Sequence, residues 1–484
     1  MVVAVEARKL SLPHLSLSSP QVTSLLYEPN SLSLALMHSD STFSLFPSFS
    51  PFSISNSLPP PQTLIPPPSS SACFVPLKNP NPKIEDCPDD KRAVFVTAGP
   101  HNGGSRVVLR FYLLGKDGKF VNSNVICSQN GVCFDRKFGV IVDVSHGMKV
   151  MLSGCVNYLA MYSASGGKIL VFGLKLVGDG RDLRLVKCAV VDCRLPVSTI
   201  CLSFGFLIMG ELRGVRVFPL RALVKGRVKS GRKMRVTKGK GENLNVEVQE
   251  VNVKVEIRNS KRLNGVVRPL DESYQFDKSI GNLSSSKLLP NGHAYSVLNA
   301  VSSSSSNVDG TVKPRSLKFQ QDSGAWGMQF VVFNDSVHEE IKPRVMRHKT
   351  TKAISILAVS QEKFLILDSN GGLHILHVSK TGSSRMSQLT STIQVQQLAT
   401  FPDASADSQT VWISDGLYSV HLMVISSSET TDKDKDGSNN EGEIIQSSVT
   451  QTIFMSESIQ DMMPLAANRV LILGQDNLYT YAIS

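Results

Sequence analysis

The residues best suited to chemistry in this chain are cations. Between Arg221 and Lys240 there are nine Lys or Arg and no Asp or Glu. Lys225, Arg227, Lys229, Arg232, Lys233, Arg235, Lys238 and Lys240 form the dense part of that run. A block of this kind can neutralise phosphates in a salt-dependent way, serve as a nuclear-import signal, or lie in solvent as an ordinary loop. No aromatic residue is interleaved with the cations, so base stacking is not expected. The net charge of +11 over 484 residues is therefore largely local, and it speaks of a loop more than of the fold.

Other candidates for chemistry are weaker. His374 and His377 are three apart on an expected strand. They point to opposite faces and cannot share a metal simply, so both are expected at the strand surface. Gly103-Gly104 and Gly166-Gly167-Lys168 lack the spacing of a phosphate loop and open no helix, which makes them hairpin turns. No HExxH occurs, and no nucleophile elbow precedes a helix. The eight cysteines lie between Cys73 and Cys201 without a CxxC pair, as suits small core side chains in a reducing compartment. No catalytic, cofactor-binding or metal-ligating residue is assigned, and the reading is not an enzyme.

The elements around these residues repeat. An apolar strand runs into a tight polar turn, and a second strand with alternating apolar residues follows. Leu32 to Met37 leads into Ser39-Asp40-Ser41, and Phe364 to Leu367 into Asn370-Gly371-Gly372. Val411 to Ile413 leads into Ser414-Asp415-Gly416, and Val470 to Leu473 into Gln475-Asp476-Asn477. Weaker copies turn at His101 to Ser105, Ser165 to Gly167 and Leu212 to Gly214. Gly, Asn and Asp supply the positive φ that hairpin turns need, and the alternation is that of a strand with one buried face. The turns fall near residues 40, 104, 166, 213, 371, 416 and 477. The shortest intervals, about 45 residues, match one four-stranded propeller blade. The fold class is therefore all-β, a seven-bladed β-propeller. The alternative is a β-sandwich followed by a second small β-domain.

These hairpins resemble the second and third strands of WD40 repeats, in which a turn Asp precedes an alternating strand. Asp40, Asp415 and Asp476 fall in that position, with Asn370 in the equivalent slot. No Gly-His opens a repeat and no Trp-Asp closes one; the only tryptophans are Trp326 and Trp412. The resemblance implies a WD40-like propeller with Asp40, Asn370, Asp415 and Asp476 as structural turn residues.

Blades 1 to 4 are expected over residues 1–223, with a Pro- and Ser-rich loop at 48–82. A basic, Ser-rich, largely disordered insertion spans 224–349, within which Val246 to Ile257 and Trp326 to Phe333 read as returning strands. Blades 5 to 7 follow over 350–484, with a disordered acidic loop at 426–443. The last strand, Leu478 to Ile483, lacks an outer neighbour, and the segment Val3 to Leu12 supplies one, closing the ring and removing its open edges. No signal peptide is visible, and no apolar run is long enough to cross a bilayer. The expected function is a non-catalytic protein-interaction scaffold in a larger intracellular assembly. The alternative is a nuclear RNA- or DNA-associated factor using residues 221–240. Partners are other proteins, with nucleic acid through the basic loop as a further option, and no membrane. The location is nuclear or cytoplasmic, with a chloroplast as the remote case.

Overall fold

Strands with one apolar face must bury it against another element. Here each sheet buries one face against the sheet before it and the other against the sheet after it. The computed structural model describes residues 5–12, 20–52, 57–78, 92–178, 180–225, 315–317, 328–333, 350–379, 383–391, 393–402, 408–429 and 443–483. All belong to one unit, Met1–Ser230 with Thr311–Ser484.

The strands assemble into seven antiparallel-built sheets. The first strands, in chain order, are Val22–Glu28, Ser71–Leu77, Val150–Cys155, Thr199–Ser203, Ala353–Ala358, Gln397–Thr400 and Asp461–Ala466. Each contacts the first strand of the next sheet, and Asp461–Ala466 contacts Val22–Glu28. Apolar residues gather in seven clusters, and each draws on two neighbouring sheets. Leu10, Leu25 and Leu34 thus pack with Leu471, Leu473 and Leu478, while Ala35, Phe43 and Leu45 pack with Phe74, Phe95 and Phe120. The core is distributed between sheets rather than enclosed by one, and the architecture is that of a β-propeller.

Every turn read from the sequence lies between the second and third strands of a sheet. Asp40 follows Ser33–His38 and precedes Phe43–Phe46; Asn370 lies between Lys363–Asp368 and Leu373–Val378. Asp415 lies between Ser408–Ser414 and Ser419–Glu429, and Asp476 between Arg469–Leu473 and Asn477–Ile483. In the seventh sheet the fourth strand is Val5–Ser11, antiparallel to Asn477–Ile483 with Val5 opposite Ile483 and Ser11 opposite Asn477.

Two segments differ from the sequence reading, and a third, within 224–349, adds strands. Residues 48–82 are not simply a loop: Thr63–Ile65 is the outer strand of the first sheet and Ser71–Leu77 the inner strand of the second. Pro76 is tolerated there because an inner strand has one edge outside its own ladder; its carbonyl accepts from Asn157 N at 2.9 Å. At 426–443 the hairpin strands extend further than expected, with Ser426 opposite Gln446 and Glu429 opposite Glu443. Within 224–349, Gln329–Val332 pairs with Gly214–Pro219 and completes the fourth sheet, as Trp326 to Phe333 had suggested. Arg315–Leu317 lies parallel to Ala189–Val191 on the third sheet. Residues 246–257, and most of the basic and Ser-rich stretch, lie outside the described residues.

The second sheet also carries an unforeseen excursion between residues 115 and 142. Val125–Ile126 crosses to pair, in parallel, with Leu183 and Arg184 of the third sheet. The longer interval between the turns near 104 and 166 is thus folded chain that ties two sheets together.

Candidate interaction surfaces

Antiparallel order gives the disc two different ends. The turns joining second to third strands share one end with the connections from sheet to sheet, called here the connection end. The turns joining first to second strands lie at the opposite, hairpin end. Backbone bonds confirm the pairing of turn and connection, as in Ser39 N to Gln21 O at 2.8 Å, Cys193 N to Gly167 O at 2.7 Å and Ser369 N to Lys352 O at 2.9 Å.

At the connection end, ionisable side chains brace the turns. Asp40 Oδ1 accepts from Thr42 N at 3.0 Å and Thr42 Oγ1 at 2.7 Å. Asp415 Oδ1 accepts from Leu417 N at 2.8 Å and Ser419 N at 3.1 Å, and Oδ2 accepts from Ser419 Oγ at 2.8 Å. Ser419 Oγ meets His421 Nε2 at 2.9 Å, and His421 Nδ1 meets Thr452 Oγ1 at 2.9 Å. Burial would raise the Asp415 carboxyl, but the Leu417 and Ser419 donors, with His421 nearby, hold it below the usual range. Burial lowers the His421 imidazole, against the pull of Asp415.

In the fifth sheet the bracing carboxylate is Asp368, not Asn370. Asp368 Oδ1 accepts from Asn370 N at 2.7 Å and Gly372 N at 2.9 Å, and Oδ2 meets His374 Nε2 at 2.8 Å. Burial opposes ionisation of Asp368, yet the His374, Gly372 and Asn370 bonds hold its carboxyl below the usual range. Asn370 instead reaches the preceding connection, with Nδ2 donating to Thr351 Oγ1 at 2.9 Å. His374 is buried at 2% exposure, which corrects its expected surface position. His377, on the other face, is half-buried, 3.7 Å from Glu362. In the seventh sheet Asp476 N donates to Glu457 Oε2 at 3.1 Å, while Tyr479 OH donates to Glu457 Oε1 at 2.5 Å. In the fourth sheet Glu211 and Arg216 form a buried fork, Nε to Oε1 at 2.8 Å and Nη2 to Oε2 at 2.9 Å.

Sequence reasoning missed Asp368, Glu457 and the Glu211–Arg216 pair. Asp368 carries a local signal, since an Asp two residues before a turn residue favours a side-chain-to-backbone bond. Glu457 comes from the connection before its sheet, and nothing local to Asp476 points to it. Of the basic run, Lys225 ends the short helix Leu220–Lys225. Arg227, Lys229, Arg232, Lys233, Arg235, Lys238 and Lys240 lie outside the described residues.

Apolar side chains stand out among these polar braces. Leu417, Tyr418 and Phe454 are 59%, 52% and 79% exposed. They form one patch: Ser419 pairs with Phe454, Met455 N donates to Tyr418 O at 2.8 Å, and Ile459 N donates to Leu417 O at 2.8 Å. Met148, in the connection from the second sheet to the third, is 98% exposed.

The hairpin end is braced in part the same way, with Glu28 accepting from Asn30 N at 3.2 Å and from Ser31 N at 2.6 Å. A groove of about 820 Å³ opens there between the second and third sheets, lined by Arg92, Lys116, Asp117, Asn124, Arg181 and Asp182 among others. Its charges are mixed. The turn tips at this end carry bulky residues in the left-handed region, Leu32 at φ 52° and Phe204 at φ 45°, both partly exposed. Among the described residues no three His, Cys, Asp or Glu side chains are placed to hold a metal ion. The described cysteines are free thiols, and burial pushes Cys155 and Cys201 up to about 12, far from thiolate reactivity.

No protein-family model matches the chain. No curated protein matches it either. Among solved structures, the RRP9 WD40 repeats are 8% identical with a TM-score of 0.42, covering 100% of both chains. The beta-propeller domain of Myceliophteria thermophila Cps50 (Swd1) is 8% identical with a TM-score of 0.42, covering 99% of this chain and 100% of that one. Saccharomyces cerevisiae Sqt1 is 9% identical with a TM-score of 0.41, covering 96% and 83%. The cyclic contacts of the inner strands and the apolar clusters between neighbouring sheets make this chain a β-propeller.

Proposed function

We propose that the chain is a non-catalytic protein-interaction scaffold, a subunit of a larger intracellular assembly, built as a seven-bladed propeller closed by its N-terminal strand. Seven sheets and the pairing of Val5–Ser11 with Asn477–Ile483 support the closed ring. The observation that carries the function is the patch Leu417, Tyr418 and Phe454, exposed on turns whose backbone is pinned on both sides. Aromatic side chains held rigidly in water lose little entropy on binding and act as anchors at protein interfaces. The test is affinity purification of wild type and of a Tyr418→Ser/Phe454→Ser variant under stringent washing, with quantitative mass spectrometry. A reproducible set of partners, part of which the variant loses, is expected. Recovery of the bait alone from wild type removes the reading.

A second reading, a nuclear RNA- or DNA-associated factor, is favoured by the charge run Arg221–Lys240. It predicts nucleic-acid binding whose affinity and salt slope both fall when the run is neutralised. Unchanged binding in that variant counts against it.

A further inference from the structure

Phe204 occupies an unfavourable place. The turn Ser203-Phe204-Gly205-Phe206 has two consecutive positive φ values, 45° at Phe204 and 82° at Gly205. Such two-residue turns favour Asn-Gly, because Asn tolerates the left-handed region and Phe does not. Phe204 is nonetheless 39% exposed, so burial does not explain it. A strained residue that packing does not account for points to use by something outside the chain.

Its neighbours support that reading. Leu202 N donates to Ser153 Oγ at 2.9 Å, which sets the first strands of the third and fourth sheets side by side. Phe204 then stands level with Cys155, one residue from Val156, itself 48% exposed at the next hairpin tip. Both tips are fixed by other elements. Asn157 Nδ2 donates to Lys78 O at 2.8 Å and Lys78 N donates to Asn157 Oδ1 at 2.9 Å. Leu220 N, opening the short helix, donates to Gly205 O at 2.7 Å. Those bonds also place the charges. Lys78 is bonded to the Val156 turn, Lys175 follows Leu174, whose N donates to Asn157 O at 2.8 Å, and Arg221 follows Leu220. All three cations are exposed. From the same helix the chain runs on at Lys225 into the basic stretch.

We propose that the hairpin end around Val156 and Phe204 is a docking surface for an acidic protein segment that carries apolar side chains. This rests on the scaffold reading and adds a second surface to it, with a stated partner chemistry. Two apolar knobs take apolar side chains, and the surrounding cations take carboxylates. One aromatic beside a valine is a poor platform for successive bases, so a protein segment fits better than single-stranded nucleic acid.

The experiment uses the full-length chain and fluorescence anisotropy with four labelled probes. These are a 16-residue amphipathic Glu/Leu peptide, its Lys/Leu counterpart, a Glu/Ser peptide without apolar residues, and a 16-nucleotide oligouridylate. Wild type is expected to bind the Glu/Leu peptide best, with affinity falling as salt rises. Phe204→Asn is expected to weaken that binding at least tenfold while the melting temperature stays level or rises, since it creates Asn-Gly. A Lys78→Glu/Lys175→Glu/Arg221→Glu variant is expected to weaken it similarly and to reverse the preference toward the Lys/Leu peptide. Undiminished binding by Phe204→Asn, a fall in its melting temperature, or tighter binding of the oligonucleotide overturns the proposal. If the partners purified with wild type survive Phe204→Asn unchanged, the scaffold reading stands and this surface alone is discarded.

Discussion

Turns at the two ends of the disc are held by different means, although Glu28 also braces one hairpin-end turn through Asn30 N and Ser31 N. At the connection end the turn is braced from within, by carboxylates such as Asp368 and Asp415 that accept the turn's own amides. At the hairpin end Phe204 and Val156 sit on turns pinned from outside, by Leu220 and by the Asn157–Lys78 pair. Internal bracing fixes a turn without help from another element, even where, as at Ser41 beside Asp40, a non-glycine residue sits at φ 66°. External pinning lets a turn keep a residue that its own geometry disfavours. The first arrangement maintains the fold; the second gives up some stability where a bulky side chain is displayed.

The comparison can be broken most forcefully at the Glu211–Arg216 fork. Glu211→Ala leaves a guanidinium buried without its carboxylate and is expected to cost about 3–5 kcal/mol, measured by urea unfolding. Asp368→Ala strands His374 and two turn amides and is expected to cost about 2–3 kcal/mol. At the other end the sign reverses: Phe204→Asn is expected to gain about 1 kcal/mol by relieving the left-handed phenylalanine. A loss there would show that Phe204 is structural and erase the contrast.

The smallest effect lies in pH. The Asp415 carboxyl is held below the ordinary aspartate value of 3.8 in the folded chain. A depressed folded pKa contributes stability that is present above the unfolded pKa and lost as pH falls through the folded one. The stability difference between wild type and Asp415→Asn should therefore be level above about pH 5 and shrink toward acid. Chemical denaturation at a series of pH values reads this directly. A gap that widens toward acid would contradict the brace.

Much of the framework was legible because its signals are short. Gly371, Gly416 and the turn Asp and Asn residues mark positive φ and side-chain acceptors within four residues of chain. The strand Ser71–Leu77 was hidden because prolines on both sides dominate the composition, although an inner strand tolerates Pro76. Val125–Ile126 left no trace, since two residues are too few for a period. The bracing role of Glu457 depends on residues about twenty positions away, and the strain at Phe204 is a backbone angle that the letters Phe-Gly do not reveal. The cations from Arg227 to Lys240 gave the strongest compositional signal and lie beyond the described residues.

The seam between the first and seventh sheets also sets an order in time. Ser24 Oγ and Leu25 N both donate to Asp461 Oδ2, at 2.7 and 2.8 Å, across a sequence separation of more than four hundred residues. On a ribosome, Leu10, Leu25 and Leu34 emerge more than four hundred residues before their partners Leu471, Leu473 and Leu478. Throughout synthesis the nascent chain carries that apolar face and an unpaired strand uncovered, the condition under which partly made proteins aggregate or recruit chaperones. Contacts of such long range are also the slowest to form. Until the seam closes, that apolar face stays open to mispairing.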